Sequence, residues 1–186
     1  MYAYGVAQSD ADLLQILELQ KKNLKTLISE EEKSSQGYVT LKHDLHLLRE
    51  MNTPFPHIIC KKENELMGYA LIMLREMEKK IPVLSSMFTH INKLIYQGNL
   101  LVNTRYLIMG QVCVAKEARG QGVFAGLYRE MKGRLKVDFD YIITEVDSRN
   151  TRSVRAHEKV GFQTIHEYRE GEIDWKVILL ETGSEE

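Results

Sequence analysis

The sequence predicts a single mixed α/β domain over residues 1–186, built on one mixed sheet with helices on both faces. Three observations predict it. Strand-like and helix-like runs alternate in the order β-α-α-β-β-α-β-α-β-α-β-β. Apolar, strand-like runs near 106–114 and 140–146 each lead through a polar turn into a helix-like run. The last two runs, Gln163–Tyr168 and Ile173–Leu180, are spaced as an antiparallel pair.

Taken in order, Tyr2–Ala7 reads as a short first strand. Ser9 or Asp10 can cap a helix carrying Leu13, Leu14, Ile16, Leu17 and Leu24. Glu30–Ser35 is polar throughout and reads as an exposed stretch. Leu41, Leu45, Leu48 and Met51 form a second amphipathic helix that stops at Asn52-Thr53-Pro54, with His43 and His46 on or beside its solvent face. His57–Lys62 and Leu66–Leu74 read as strands joined by Glu63-Asn64-Glu65. After Pro82, the residues Val83, Leu84, Met87, Phe88, Ile91, Leu94 and Ile95 fall on one helical stripe. This stripe has two readings, a core helix or a wall of an acceptor pocket.

Composition narrows the function classes. A chain of 186 residues can bury a substantial core. A net charge of −1 gives no electrostatic reason to expect nucleic acid or an anionic membrane as partner. Cys60 and Cys113 both sit in apolar runs and read as buried thiols of a reducing compartment. His57-Ile-Ile-Cys60 lacks a second ligand pair, so strand core is expected there and no metal. With no apolar span and no signal pattern, a cytoplasmic location is the default expectation.

The most informative segment is Arg119-Gly-Gln-Gly-Val-Phe124, a turn between the run Ile108–Val114 and the helical stripe Phe124, Leu127, Met131 and Leu135. A glycine turn that opens a helix presents backbone N–H groups and a dipole that favour phosphate. The turn lacks the Gly-Lys-Ser/Thr ending of a P-loop and the third glycine of the dinucleotide fingerprint. Downstream, Tyr141–Val146 ends in a polar turn, and a short helix then runs from about Thr151 to Gly161.

This pair of segments resembles the GNAT superfamily of acyl-CoA-dependent N-acyltransferases. Arg119, Gly120 and Gly122 match its pyrophosphate loop, and Asn150, Glu158, Lys159, Gly161 and Phe162 match the second half of its cofactor site. Phe124 and His157 stand where the family pattern has a small residue and a tyrosine. The resemblance implies a mostly antiparallel sheet whose central strands splay to admit CoA. It implies acetyl-CoA as cosubstrate, with the loop residues Arg119, Gly120, Gln121, Gly122, Val123, Phe124 and Ala125 on the pyrophosphate. The backbone of Val112, Cys113 and Val114 would hold the acyl carbonyl and the pantetheine arm, which Asn150 would also meet. On the sequence alone, Asn150 also suits a helix cap, and the large side chain of Phe124 is expected to join the core stripe.

Acyl transfer to an amine needs a base, because an alkylammonium has a pKa of about 10.4. Glu145 shares a strand face with Tyr141 and Ile143 at the strand's carboxyl end, where a carboxylate can open into a cleft. It is the expected base; the other reading is a strand-end glutamate paired with a nearby arginine such as Arg149. His157 lies on the packed stripe with Ser153, Ala156 and Val160. The family role there is to protonate the leaving thiolate; the other reading is a packing histidine. The expected function is an N-acetyltransferase acting by direct attack of a primary amine in a ternary complex, as a monomer or homodimer. Two rivals stay open: a catalytically silent CoA-binding module of the same fold, and an interaction protein using residues 83–95 as a dimer surface. The acceptor amine is not legible in the sequence.

Overall fold

The computed structural model describes residues 1–24, 26, 27, 29 and 38–183. In chain order the elements are β1 (Tyr2–Val6), α1 (Asp10–Asn23), α2 (Leu45–Met51), β2 (Ile58–Lys62), β3 (Glu65–Met73), α3 (Ser85–Lys93), β4 (Ile95–Tyr96), β5 (Asn99–Leu100), β6 (Tyr106–Val114), α4 (Val123–Leu135), β7 (Tyr141–Asp147), α5 (Thr151–Lys159), β8 (Gln163–Glu170) and β9 (Ile173–Glu181). The expected exposed stretch Glu30–Ser35 lies outside the described residues. The architecture is mixed α/β with mostly antiparallel strand pairing, as expected. Two compact units can be distinguished, Met1–Ile72 with Met109–Met131, and Met73–Ile108 with Lys132–Glu186.

In the first unit, β1 pairs antiparallel with β2, and β2 with β3. Ser9 starts α1 through a reciprocal cap. Its hydroxyl accepts from Asp12 N–H (3.3 Å), and the Asp12 carboxylate accepts from Ser9 N–H (3.0 Å). Leu13, Ile16 and Leu19 turn inward, whereas Leu14 is half exposed. Leu24 falls outside the helix: it adopts an extended conformation and bridges Val39.

His43 corrects the sequence reading. It precedes α2, so the helical spacing that placed it near solvent does not apply. Its side chain is buried, with Nδ1 2.8 Å from Gln20 Nε2. Gln20 also donates to Gln111 (2.9 Å), which accepts from the Tyr69 hydroxyl (2.6 Å). This chain of bonds satisfies the Gln20, Gln111 and Tyr69 groups of a buried layer, and His43 Nε2 is left there without a hydrogen-bond partner among the described residues. His57 is also buried, donating from Nε2 to the Leu48 carbonyl (3.2 Å) and accepting at Nδ1 from Ile72 N–H (3.1 Å).

In the second unit, β6 begins in a parallel ladder with β7, Tyr106–Ile108 against Tyr141–Ile143. Strand β7 pairs antiparallel with β9, and β9 with β8. Within α3, Met87, Phe88 and Ile91 are buried, the core arrangement, while Val83 before the helix and Ile95 after it are exposed. The expected stripe ends early because Leu94 turns extended and Ile95–Tyr96 pairs with Asn99–Leu100. The turn between them is Gln97-Gly98, both at positive φ, which suits a two-residue hairpin.

Candidate active site

The first unit carries the glycine loop. After β6, a tight turn at Lys116–Ala118 leads into Arg119–Gly122, and α4 starts at Val123. Gly120 and Gly122 have φ of +74° and +79°, the left-handed region that costs an L side chain about 1–2 kcal/mol. No atom lies within 4 Å of where a Cβ would stand at either position. Conformation, not crowding, therefore requires glycine, and the backbone there borders open space. The first bond into the helix runs from Gly126 N–H to the Gly122 carbonyl (2.9 Å), so the positive pole of α4 opens directly onto the loop.

Neighbouring side chains hold the loop's shape. Arg119 donates to the Val114 carbonyl (3.2 Å) and to Asn23 Oδ1 at the end of α1 (2.6 Å). Gln121 accepts from the Tyr2 hydroxyl (2.8 Å) and donates to the Glu117 carbonyl (2.6 Å). Phe124 departs from expectation. Val123, Leu127 and Met131 form the buried stripe one position earlier, and the half-buried Phe124 ring tilts against Tyr128 at 5.1 Å. Beside the loop lies a cleft of about 620 Å³. Lys22, Lys62, Lys116 and Arg119 line it together with Glu18, Glu63, Glu65 and Glu117. These charges balance, so any preference for phosphate comes from the loop backbone and not from the cleft walls. In β6, burial pushes the Cys113 thiol up to about 12, which favours the protonated form near pH 7.

The second unit carries Glu145, Asn150 and His157. Glu145 lies toward the end of β7, opposite Val177 of β9. Burial raises its carboxyl to about 7, although a hydrogen bond from the Tyr168 hydroxyl (2.8 Å) works in the opposite direction. Arg149, the alternative partner weighed above, engages Asp147 by a fork of 3.1 and 3.0 Å bonds. Asn150 is the cap of α5, accepting from Ser153 N–H (3.3 Å).

His157 is almost fully buried, with its ring edge-on to Phe162 at 5.0 Å. Its Nδ1 lies 2.8 Å from the Ser153 carbonyl, which can only accept, so Nδ1 carries the proton. Burial pushes the ring down to about 4, so it is neutral near pH 7. An imidazolium acid therefore loses its physical basis at this position. His157→Phe is expected to keep the wild-type shape of kcat/KM against pH while lowering stability by about 1 kcal/mol through the lost hydrogen bond. Disappearance of the basic limb in that variant would restore the acid role.

The spacing arguments missed Tyr168, whose hydroxyl meets Glu145, and His90 and His166, whose rings stack with that of Tyr168. His166 and Tyr168 alternate along β8, which the sequence shows, but the approach of α3 is tertiary.

Among the described residues no group of three or more His, Cys, Asp and Glu is placed to hold a metal ion, and no helix is long and apolar enough to cross a membrane.

The sequence model of the acetyltransferase (GNAT) family matches residues 16–162. A comparison with curated protein sequences finds no match. Solved structures share the architecture. The ribosomal-protein-S18-alanine N-acetyltransferase of Escherichia coli has a TM-score of 0.64 at 10% identity, covering 100% of this chain and 97% of that one. Arabidopsis thaliana NAA60, in complex with acetyl-CoA, has a TM-score of 0.65 at 11% identity, covering 97% and 99%. yncA of Salmonella typhimurium, solved with acetyl-CoA, has a TM-score of 0.62 at 14% identity, covering 99% and 95%. At these identities the likeness shows the fold.

Proposed function

Because the chain belongs to the GNAT acetyltransferase family, we propose that it is an N-acetyltransferase in which a primary amine takes an acetyl group directly from acetyl-CoA. The observation that carries this reading is the Gly120–Gly122 turn, left-handed at both glycines, bordered by open space and set at the amino end of α4. That backbone fits a pyrophosphate. Residues 119–125 would hold it, with Val112, Cys113 and Val114 along the arm; by the family pattern Asn150 would serve the arm as well. Acetyl-CoA supplies the acyl group already activated as a thioester.

The chain's own part is to handle the amine's proton. The acceptor arrives mostly as an ammonium, with a pKa of about 10.4 for a lysine-like amine. Glu145, at about 7, is ionised at slightly alkaline pH and takes that proton as the nitrogen becomes a nucleophile. Its value is close enough to working pH to release the proton to water afterwards. Cys113 stays protonated, which supports direct transfer over an acyl-enzyme. A thiol near pKa 8.5 departs as thiolate without a dedicated acid, so the neutral His157 does not block the reaction. The buried His157 is also the observation that favours the rival reading, a silent module that binds CoA without turnover.

The test is a panel of amines (peptide N-termini, lysine derivatives, polyamines and aminoglycosides) incubated with the protein and acetyl-CoA under a thiol-trapping dye. Amine-dependent thiol release supports transfer. Cofactor binding with no release above the amine-free rate for any member supports the silent module.

A further inference from the structure

Glu145 is held by more than strand register. Its Oε1 accepts a 2.8 Å hydrogen bond from Tyr168 of β8. The Tyr168 ring in turn stacks on His90 of α3, with centroids 3.8 Å apart and planes 17° from parallel. The His166 ring centroid lies 6.1 Å from each of these rings, with planes inclined 29° to His90 and 20° to Tyr168. All three rings are half-buried. His90 projects from a helix anchored by the buried Met87, Phe88 and Ile91, so its ring rests on a fixed support.

We propose that Tyr168 is the positioning residue of the base, and that α3 serves the site as a buttress, setting Tyr168 through the stacked ring of His90. This rests on the reading of Glu145 as base. The hydroxyl occupies one carboxylate oxygen and restricts rotation of the side chain, which leaves the other oxygen to meet the ammonium. Tyr168 keeps its proton, because burial and then the Glu145 charge push its phenol well above the ordinary value. It is therefore a fixed donor and not an exchanging acid. A donor favours the carboxylate over the neutral acid, so this bond offsets part of the upward push that burial exerts on Glu145.

Besides His166, the charged and titratable groups around this pair among the described residues come from β7, β8, β9 and α3. From β8, Glu170 adds a negative charge that raises both Glu145 and Tyr168. From β9, the residue opposite Glu145 is Val177, and the neighbouring Lys176 is bonded to Glu167. On β7 itself, Asp147 is engaged by Arg149. From α3, His90 and Ser86 reach Tyr168.

The test compares Tyr168→Phe, His90→Ala and His90→Phe in kcat/KM against pH, with acetyl-CoA Kd measured separately. Tyr168→Phe keeps the ring and its stack but loses the donor. The acidic limb should then move up by about one pH unit, with about a tenfold loss below the limb. Cofactor Kd should be unchanged. His90→Ala should move the limb in the same direction by less, and His90→Phe, which restores a stacking face, should bring it back. A merely structural role would lower the melting temperature and leave the limb in place. A wild-type limb in both Tyr168→Phe and His90→Ala, with Glu145→Gln inactive, would overturn the positioning role alone. Undiminished activity in Glu145→Gln would instead remove the base reading on which it rests.

Discussion

Gly122→Asp is expected to abolish the thermal stabilisation that acetyl-CoA gives the wild-type chain. A ligand that binds only the folded state stabilises it by about 2.7 kcal/mol at a hundredfold excess over Kd. For a chain of this size that is roughly 5–10 °C in Tm. The substitution places a carboxylate at the amino end of α4, where the dipole and backbone are set for an anion of the same sign as the newcomer. It also puts an L side chain at a φ of +79°, so a control is needed. Gly122→Ala carries the same backbone strain, about 1–2 kcal/mol, without the charge. The alanine variant should start from a lower Tm and still respond to cofactor; the aspartate variant should not respond. Scanning calorimetry with and without acetyl-CoA separates the two. A full shift in Gly122→Asp would move the phosphate site away from this loop.

Glu145→Gln should have the second large effect, in opposite directions on rate and stability. Glutamine keeps the shape and still accepts from Tyr168, but it cannot take a proton. A loss of about 10²–10⁴-fold in kcat/KM is expected, together with loss of the acidic limb. Cofactor affinity should hardly change, because the carboxylate serves the amine. The stability sign follows from the raised carboxyl, 4.5 lifted to about 7 by burial. Below the unfolded value both states are protonated and no penalty exists. Between 4.5 and 7 the unfolded chain ionises first, and the folded state loses ground as pH rises; above 7 the penalty is constant. Removing the carboxylate should therefore raise stability at pH 8, by about 1–3 kcal/mol, and leave it unaltered near pH 4. A gain in stability with loss of turnover is what a functional buried carboxylate predicts. A loss of both would instead mark Glu145 as a fold residue.

How much was readable in the sequence depends on whether the cause was local. Gly120 and Gly122 were legible because a strand–turn–helix junction is local, and both glycines adopt the conformation such a turn needs. The Asn150 cap and the closing β8–β9 pair were legible for the same reason. The place of Glu145 near the end of β7 was legible because the apolar run stops just after it, but its environment was not, because Tyr168 and His90 arrive from β8 and α3. His43 was misplaced by a spacing argument extended past the true start of α2 at Leu45. Val123 and Phe124 exchanged places in the α4 stripe because either register satisfies the spacing of Leu127 and Met131. The β4–β5 hairpin was missed because two residues a side carry no periodicity, and only Gln97-Gly98 could have marked it.

The most direct measurement follows CoA thiol and acetylated amine together over time. It uses wild type and Glu145→Gln at equal acetyl-CoA saturation, with the best acceptor from the panel. Acid–base transfer on this chain predicts that thiol and product appear in equal amounts for wild type, and that both fall by at least about a hundredfold in the variant while Kd for acetyl-CoA stays the same. Equal rates in the two proteins would contradict Glu145 as base, and thiol appearing without acetylated amine would contradict transfer itself.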